Sequence, residues 1–221
     1  MKDGDAREQI EIAVFSLIKR GLSELATQAN AGQVSQLTRL VMLLSEWAGR
    51  ISLTGHRDPL EMARRLVLDA AAVSEALPEL DTASRLADLG SGVGFPGLPI
   101  AILRPELEVA LVESRRKRHH LQREARRQLG LTRVIPVLGR SDEVEIRPSD
   151  VVVAQAMTQP KKAFELMRPW ARPGGLVALP AAEESDRPTL PAGFEDLSLR
   201  EYQVPETRRA RKLWIARVSL S

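Results

Sequence analysis

The 221-residue chain contains no cysteine. That removes disulfides, thiolate nucleophiles and Cys-ligated zinc or iron–sulfur centres at once. Histidine is nearly as scarce at three residues, and His119 and His120 are adjacent instead of one helical turn apart, so no metal is expected. Aromatic residues make up only 4%. Trp47, Trp170 and Trp214 could stack on bases, but large aromatics beside apolar helix or strand positions more often belong to the core. No apolar run approaches the roughly 20 residues of a membrane-spanning helix, and Met1 to Ile10 is charged where a signal peptide would be apolar. A cytoplasmic protein with no membrane partner is the expectation. An excess of one charge sign is also missing, with 32 Lys and Arg against 29 Asp and Glu.

What the chain does have is a 43% hydrophobic content, enough for a packed core in one main domain. Its cations are clustered as well. Between Glu113 and Arg140 stand nine Arg or Lys against two Glu, and Arg208, Arg209, Arg211 and Lys212 form a second group. Such patches can neutralise phosphates, although Arg-rich helices also serve simply as soluble surface.

Hydrophobic periodicity divides the chain. Ile10, Val14, Leu17 and Ile18, then Leu37, Leu40, Val41, Leu44 and Trp47, recur at helical spacing. Asp58-Pro59 supplies an N-cap and a first-turn proline for a third helix with Met62, Leu66 and Ala70 on one stripe. A helical extension over residues 1–80 is expected, packed on a main domain over 81–221. From Arg85 the pattern becomes short apolar runs: Leu86–Leu89, Val109–Val112, Val134–Val137 and Val151–Ala154. These read as buried parallel strands separated by helices, clearest at Arg115 to Leu129 with Leu121, Ala125 and Leu129 inward. A further strand, Leu176 to Leu179, is expected after Gly174-Gly175 and before a Pro-rich loop. Leu197 to Val204 and Lys212 to Val218 would close the sheet as an antiparallel pair. The fold class is α/β, a doubly wound sheet.

The stretch with chemical content runs from Asp88 to Gly97, DLGSGVGFPG, between the first strand and its helix. Gly90, Gly92 and Gly94 let the backbone turn sharply and bring a ligand against it. Alone this is a weak signal, and a glycine turn can serve packing only. Glu113, at the end of the second strand, adds weight, because an acidic side chain there can accept both hydroxyls of an adenosine ribose. A dinucleotide fingerprint would place its third glycine where this chain has Phe95, and a carboxylate at Asp88 would repel a pyrophosphate while favouring sulfonium and ammonium groups. S-adenosylmethionine is the better fit. After the third strand, Asp142 in Gly139-Arg140-Ser141-Asp142 could accept from the adenine amine, or could be an ordinary helix N-cap. Gln155 ends the fourth strand at the same edge.

These residues resemble the glucose-inhibited division protein B methyltransferases, which methylate N7 of a guanine in small-subunit ribosomal RNA. The matching pieces span nearly the whole chain: Glu46-Trp47, Ser52-Leu53-Thr54, Arg57-Asp58-Pro59, Asp69, Asp88 to Gly97, Arg104-Pro105, Glu113-Ser114 with Lys117, Gly139-Arg140, and Arg211 with Leu213. The resemblance implies a seven-stranded Rossmann-like methyltransferase sheet behind a helical cap. It implies cofactor contacts at Gly90, Phe95, Glu113, Ser141 and Asp142, to which Asp88, Gly92, Gly94 and Gln155 are added from the pattern of the cleft. Arg115, Arg116, Arg123, Arg208, Arg209 and Arg211 are the candidates for RNA. The partner would be the small ribosomal subunit or its RNA, met by a monomer.

The departures are specific. The family's His-x-x-Asp-Ser reads Leu66-Val-Leu-Asp69-Ala70 here, Ser-Arg-Ala becomes Ala154-Gln155-Ala156, Lys-Gly becomes Pro180-Ala181, and an aromatic-Asn pair becomes Trp47-Ala48. The cofactor side is intact while the RNA side is altered. A non-catalytic RNA-binding or ribosome-assembly protein on the same fold is the alternative to an RNA methyltransferase. A small-molecule methyltransferase would have no need of the basic patches.

Overall fold

Two helices open the chain, α1 (Lys2–Glu24) and α2 (Ala31–Ala48), in a computed structural model that describes residues 2–48, 57–155 and 157–220. Helix α1 buries Val14, Leu17, Ile18 and Leu22, while Ile10, read onto the same stripe, is 40% exposed. A reciprocal capping box starts α2: Gln33 N–H donates to Asn30 Oδ1 at 3.0 Å, and Asn30 N–H to Gln33 Oε1 at 2.9 Å. The same helix then satisfies orphan carbonyls at the ends of two others, α5 (Gly97–Leu103) and α6 (Arg116–Leu129). Gln33 Nε2 donates to the Ile102 and Leu103 carbonyls at 2.9 and 3.1 Å, and Gln36 Nε2 to that of Leu129 at 2.8 Å.

The Asp58 cap is present, accepting from Glu61 N–H at 3.0 Å with Pro59 in the first turn of α3 (Pro59–Met62). The helix beyond it is not one regular stripe. A π-helical segment, Ala63–Val67, separates α3 from α4 (Leu68–Glu75). The wider turn shifts the inward face, so Ala63, Val67, Leu68 and Asp69 are buried and Leu66 remains at the rim.

The sheet has seven strands in the order β3-β2-β1-β4-β5-β7-β6. These are β1 (Arg85–Leu89), β2 (Glu108–Glu113), β3 (Val134–Leu138), β4 (Ser149–Ala154), β5 (Ala171–Ala182), β6 (Phe194–Val204) and β7 (Arg209–Val218). The first five are parallel, and β7 runs antiparallel between β5 and β6. β5 is longer than its apolar run suggests, beginning at Ala171, ahead of Gly174-Gly175, and continuing through Pro180 to Ala182. Proline is tolerated there because β4 pairs β5 only as far as Ala178, which leaves Pro180 paired on the β7 side alone, as at a sheet edge.

Apolar side chains fill both faces. One core lies under α1 to α6 and includes Val109, Leu111, Val151 and Val153. The other, with Leu89, Val112, Ala154 and Trp170, packs against α7 (Pro160–Met167). Burial on both faces is why the strand sequences read as continuous apolar runs. Winding starts at β1 and proceeds to β2 and β3 on one side and to β4 on the other. The crevice between β1 and β4 is therefore the switch point at which open α/β sheets take ligands.

Candidate methyl-donor and RNA site

The glycine turn leaves β1 at this switch point. Gly90, Gly92 and Gly94 have φ of +66°, +59° and +103°, left-handed values that side chains resist. At Gly90 space is short as well, since a Cβ would lie 2.9 Å from Met157 Cγ. Asp88 holds the far side of the turn, its Oδ2 accepting from Gly97 N–H at 2.8 Å. The side chain is fully buried beneath α5 instead of opening into the cleft, and its Oδ1 has no partner among the described residues. Burial and the nearby charge of Glu113 push its pKa up to about 7, against the pull of the Gly97 hydrogen bond. Its place in the sequence, just ahead of the glycines, suggests a contact with a sulfonium. The geometry gives it a different task, that of fixing the turn against α5 from below.

Gln122 holds the turn from another side, and sequence reasoning missed it. Fully buried on α6, it donates through Nε2 to Ser91 Oγ at 2.9 Å and to the Gly92 carbonyl at 2.7 Å. The signal was available, because a glutamine three residues before Ala125 lies on the inward stripe of the helix, where a polar group needs a partner.

Glu113 ends β2 beside the turn and is 4% exposed. Its Oε1 accepts from Arg115 N–H at 2.7 Å, and Oε2 is 3.9 Å from Arg118 Nη1. A carboxylate has about four acceptor positions, so capacity remains for two hydroxyl donors. On the α7 side of the sheet a cavity of about 380 Å³ opens, lined by Gly90, Ser114, Gly139, Ser141, Asp142 and Met157 among others. That volume lies within the range of small-molecule pockets. Ser141 and Asp142 begin a turn and not a helix, which removes the N-cap reading of Asp142. Its carboxylate is held by Arg140 at 3.2 Å, and this pairing keeps its pKa below the usual range. The Ser141 carbonyl accepts from the buried indole of Trp170 at 2.9 Å, anchoring the loop. Trp170 and Trp214 are core residues, and Trp47 packs against His120 with ring centroids 5.5 Å apart.

Phe95 does not line the cavity. It is 8% exposed in the core under the N-terminal helices. Gln155 lies on that side too, donating to Asp69 at 3.0 Å.

The cation groups flank the same edge. Arg115 stands at the N-cap of α6 and Arg116 and Arg123 on the helix itself, while Arg208 precedes β7 and Arg209 begins it, all five exposed. Because β7 is antiparallel, its start stands at the carboxyl edge of the parallel strands, with Arg211 opposite Ala182 at the end of β5. From β2 to β7 is four strand spacings, about 19 Å. Arg211 itself is half-buried, 3.9 Å from Asp69, and is not an open surface cation. Among the described residues no group of three or more His, Asp or Glu is gathered for a metal, and no helix is long and apolar enough to cross a membrane. The matching Ser52-Leu53-Thr54 and the departure at Ala156 lie outside the described residues.

Residues 33–211 match the family described as rRNA small subunit methyltransferase G, GidB. This chain belongs to that family. The ribosomal RNA small subunit methyltransferase G of Chromohalobacter salexigens is 36% identical over 187 residues, covering 84% of this chain and 88% of that protein. The protein of the same name from Methylococcus capsulatus is 33% identical over 203 residues, covering 89% and 95%. Solved structures agree on the fold. A SAM-dependent methyltransferase from Aquifex aeolicus aligns with TM-score 0.52 at 17% identity over 72% of this chain and 93% of its own. TrmN from Thermus thermophilus aligns with TM-score 0.52 at 21% identity over 71% and 53%. The methyltransferase sheet is thus shared with these proteins, and the expected α/β class holds.

Proposed function

We propose that the chain transfers a methyl group from S-adenosylmethionine to N7 of a guanine in small-subunit ribosomal RNA, acting as a monomer in the cytoplasm. The observation that carries the reading is one edge of the sheet. There the left-handed glycine turn, Glu113 and the 380 Å³ cavity adjoin, and exposed arginines flank them on both sides.

The residues present fit the cofactor. Gly90 leaves the cavity floor free of a Cβ, Glu113 has spare acceptor positions for a ribose, and Asp142 stands at the rim within reach of an amine donor. When bound, S-adenosylmethionine supplies an electrophilic methyl on a sulfonium. Guanine N7 offers a lone pair and carries no proton, so the chain need not provide a general base. Its task is to align the two reactants, and alignment of this kind is worth about 7 kcal/mol or more. Asp88 and Gln122 contribute by holding the turn rigid from two sides. Arg115, Arg116, Arg208 and Arg209 would engage RNA phosphates across the edge.

Calorimetry with S-adenosylmethionine and its demethylated product tests the cofactor site, where Glu113→Ala should cost about 1.5 to 3 kcal/mol of affinity. Binding of NADH in their place would refute the reading of the turn. The activity is tested by tritiated methyl incorporation into small subunits from cells lacking this gene, with the product mapped for N7-methylguanine. Cofactor binding without any transfer would instead identify an RNA-binding protein on a methyltransferase fold.

A further inference from the structure

Behind the cleft, the 5%-exposed carboxylate of Asp69 on α4 gathers side chains from three strands. Gln155, following β4, donates through Nε2 to Oδ2 at 3.0 Å; the Tyr202 hydroxyl on β6 donates to Oδ1 at 3.2 Å; Arg211 Nη2 on β7 lies 3.9 Å from Oδ2. Burial and the Asp69 charge both raise the Tyr202 pKa, keeping that hydroxyl a donor.

The consequence for Gln155 follows from donor counting. A primary amide has one donor end and one acceptor end, and its orientation is set by what it meets. A carboxylate only accepts, so the NH2 must face Asp69 and Oε1 must point away. Among the described residues nothing donates to Oε1, yet it is not one of the atoms buried without a partner, and Gln155 is only half-buried. Its position is also fixed. Ala154 pairs with Leu89, so Gln155 stands level with Gly90 on the neighbouring strand, at the mouth of the switch-point crevice.

We propose that Gln155 reads the substrate base, its Oε1 accepting from the N1–H or N2–H of the guanine, with Asp69 as the positioning residue that fixes the direction of the acceptor. The inference rests on the guanine methyltransferase reading above. At positions 1 and 2 of its Watson–Crick edge guanine presents the N1–H and N2–H donors, whereas adenine presents there an N1 lone pair that the amide oxygen would repel and a C2–H, its only donor, N6–H, standing where guanine has O6. N7 lies on the opposite side of the purine, so a base held by its Watson–Crick edge keeps N7 open to the methyl group.

The test uses small subunits from cells lacking this enzyme, with the target guanine either natural or replaced by adenine, whose N7 also carries a lone pair. Gln155→Leu should lower kcat/KM on the guanine substrate roughly 10- to 100-fold, leave the adenine rate and the S-adenosylmethionine Kd unchanged, and so reduce the guanine preference. Asp69→Asn, whose amide accepts either orientation of Gln155, should lose part of that preference. The double variant Asp69→Asn/Gln155→Glu places the acceptor-only group at the cleft and the donor behind it, and should recover the guanine rate to within about threefold of the unaltered chain. This exchange decides the matter if Gln155→Leu fails to fold or if adenine transfer is undetectable. Equal losses on guanine and adenine, or a double variant no better than Asp69→Asn, would overturn the proposal. So would a weakened cofactor Kd with the preference intact, which would make the cofactor ammonium the donor. An unaltered chain with no transfer at all would remove the activity itself, and a change confined to Gln155→Leu would not.

Discussion

Replacing Asp88 by Asn should flatten the dependence of folding stability on pH. In the folded chain the carboxyl holds its proton up to about 7, against 3.8 in the ordinary state. The folded state therefore binds more protons than the unfolded state between these values, and stability falls as pH rises through the window. With those two values, titration of this group lowers stability by about 2 kcal/mol at about pH 5, where the unfolded carboxyl is ionised and the folded one still holds its proton, and by about 4 kcal/mol at about pH 8, where both are ionised, a difference of about 2 to 3 kcal/mol. Asparagine keeps the acceptor for Gly97 N–H and places an unpartnered amide hydrogen where Oδ1 now stands alone, a penalty of about 1 to 3 kcal/mol that is independent of pH. Urea unfolding of both proteins at the two pH values isolates the Asp88 contribution, because every other titration is common to both. The unaltered chain should lose about 2 to 3 kcal/mol more than Asp88→Asn between about pH 5 and about pH 8. Parallel pH curves would mean that this carboxyl ionises as it does in water, and the account of a dry Asp88 under the turn would fail.

Gln122→Leu keeps the volume of the side chain but removes both hydrogen bonds to Ser91 and Gly92; cofactor affinity should fall about tenfold and stability by about 1 to 3 kcal/mol, measured by calorimetry and urea unfolding. Gly90→Ala should cost about 1 to 2 kcal/mol of stability at a φ of +66° and displace Met157, with a lower cofactor affinity as the calorimetric sign. The double variant Arg116→Ala/Arg123→Ala should reduce the slope of log K against log salt for RNA by about 1.5, leaving cofactor binding untouched; an unchanged slope would take α6 out of the RNA surface.

The sheet was legible because its signal is carried twice, by apolar runs and by the glycines that interrupt them. Proline reads as a breaker, so the sequence ends β5 at Leu179, whereas the strand continues on the β7 side after its pairing with β4 stops at Ala178. The π-helical segment has no signature in periodicity, so the stripe through Leu66 was drawn straight where the helix widens. In the candidate site, spacing located Asp88, the glycines, Glu113 and Asp142 at one edge, because strand ends are fixed by register. Spacing cannot say which way a strand-end side chain turns: Asp88 is buried beneath α5 and Phe95 packs in the core under the N-terminal helices. The Asp69 cluster depends on α4, β4, β6 and β7 meeting, contacts between residues more than eighty positions apart that no local pattern encodes.

The reversed direction of β7 has a consequence for where this protein can change. Its first residues stand over the ligand edge and its last at the opposite edge, about 30 Å away for a ten-residue strand. A probe or fusion attached after Val218 therefore reports from the side remote from the crevice. The turn over residues 205–208, by contrast, is tied to α1 through the Arg20–Glu206 pair and has no part in the glycine loop or the cavity lining. On the proposed reading, altering the charge of this turn would change the RNA contacts of the rim while the cavity lining stays as it is, so substrate preference could drift here at little cost to the chemistry.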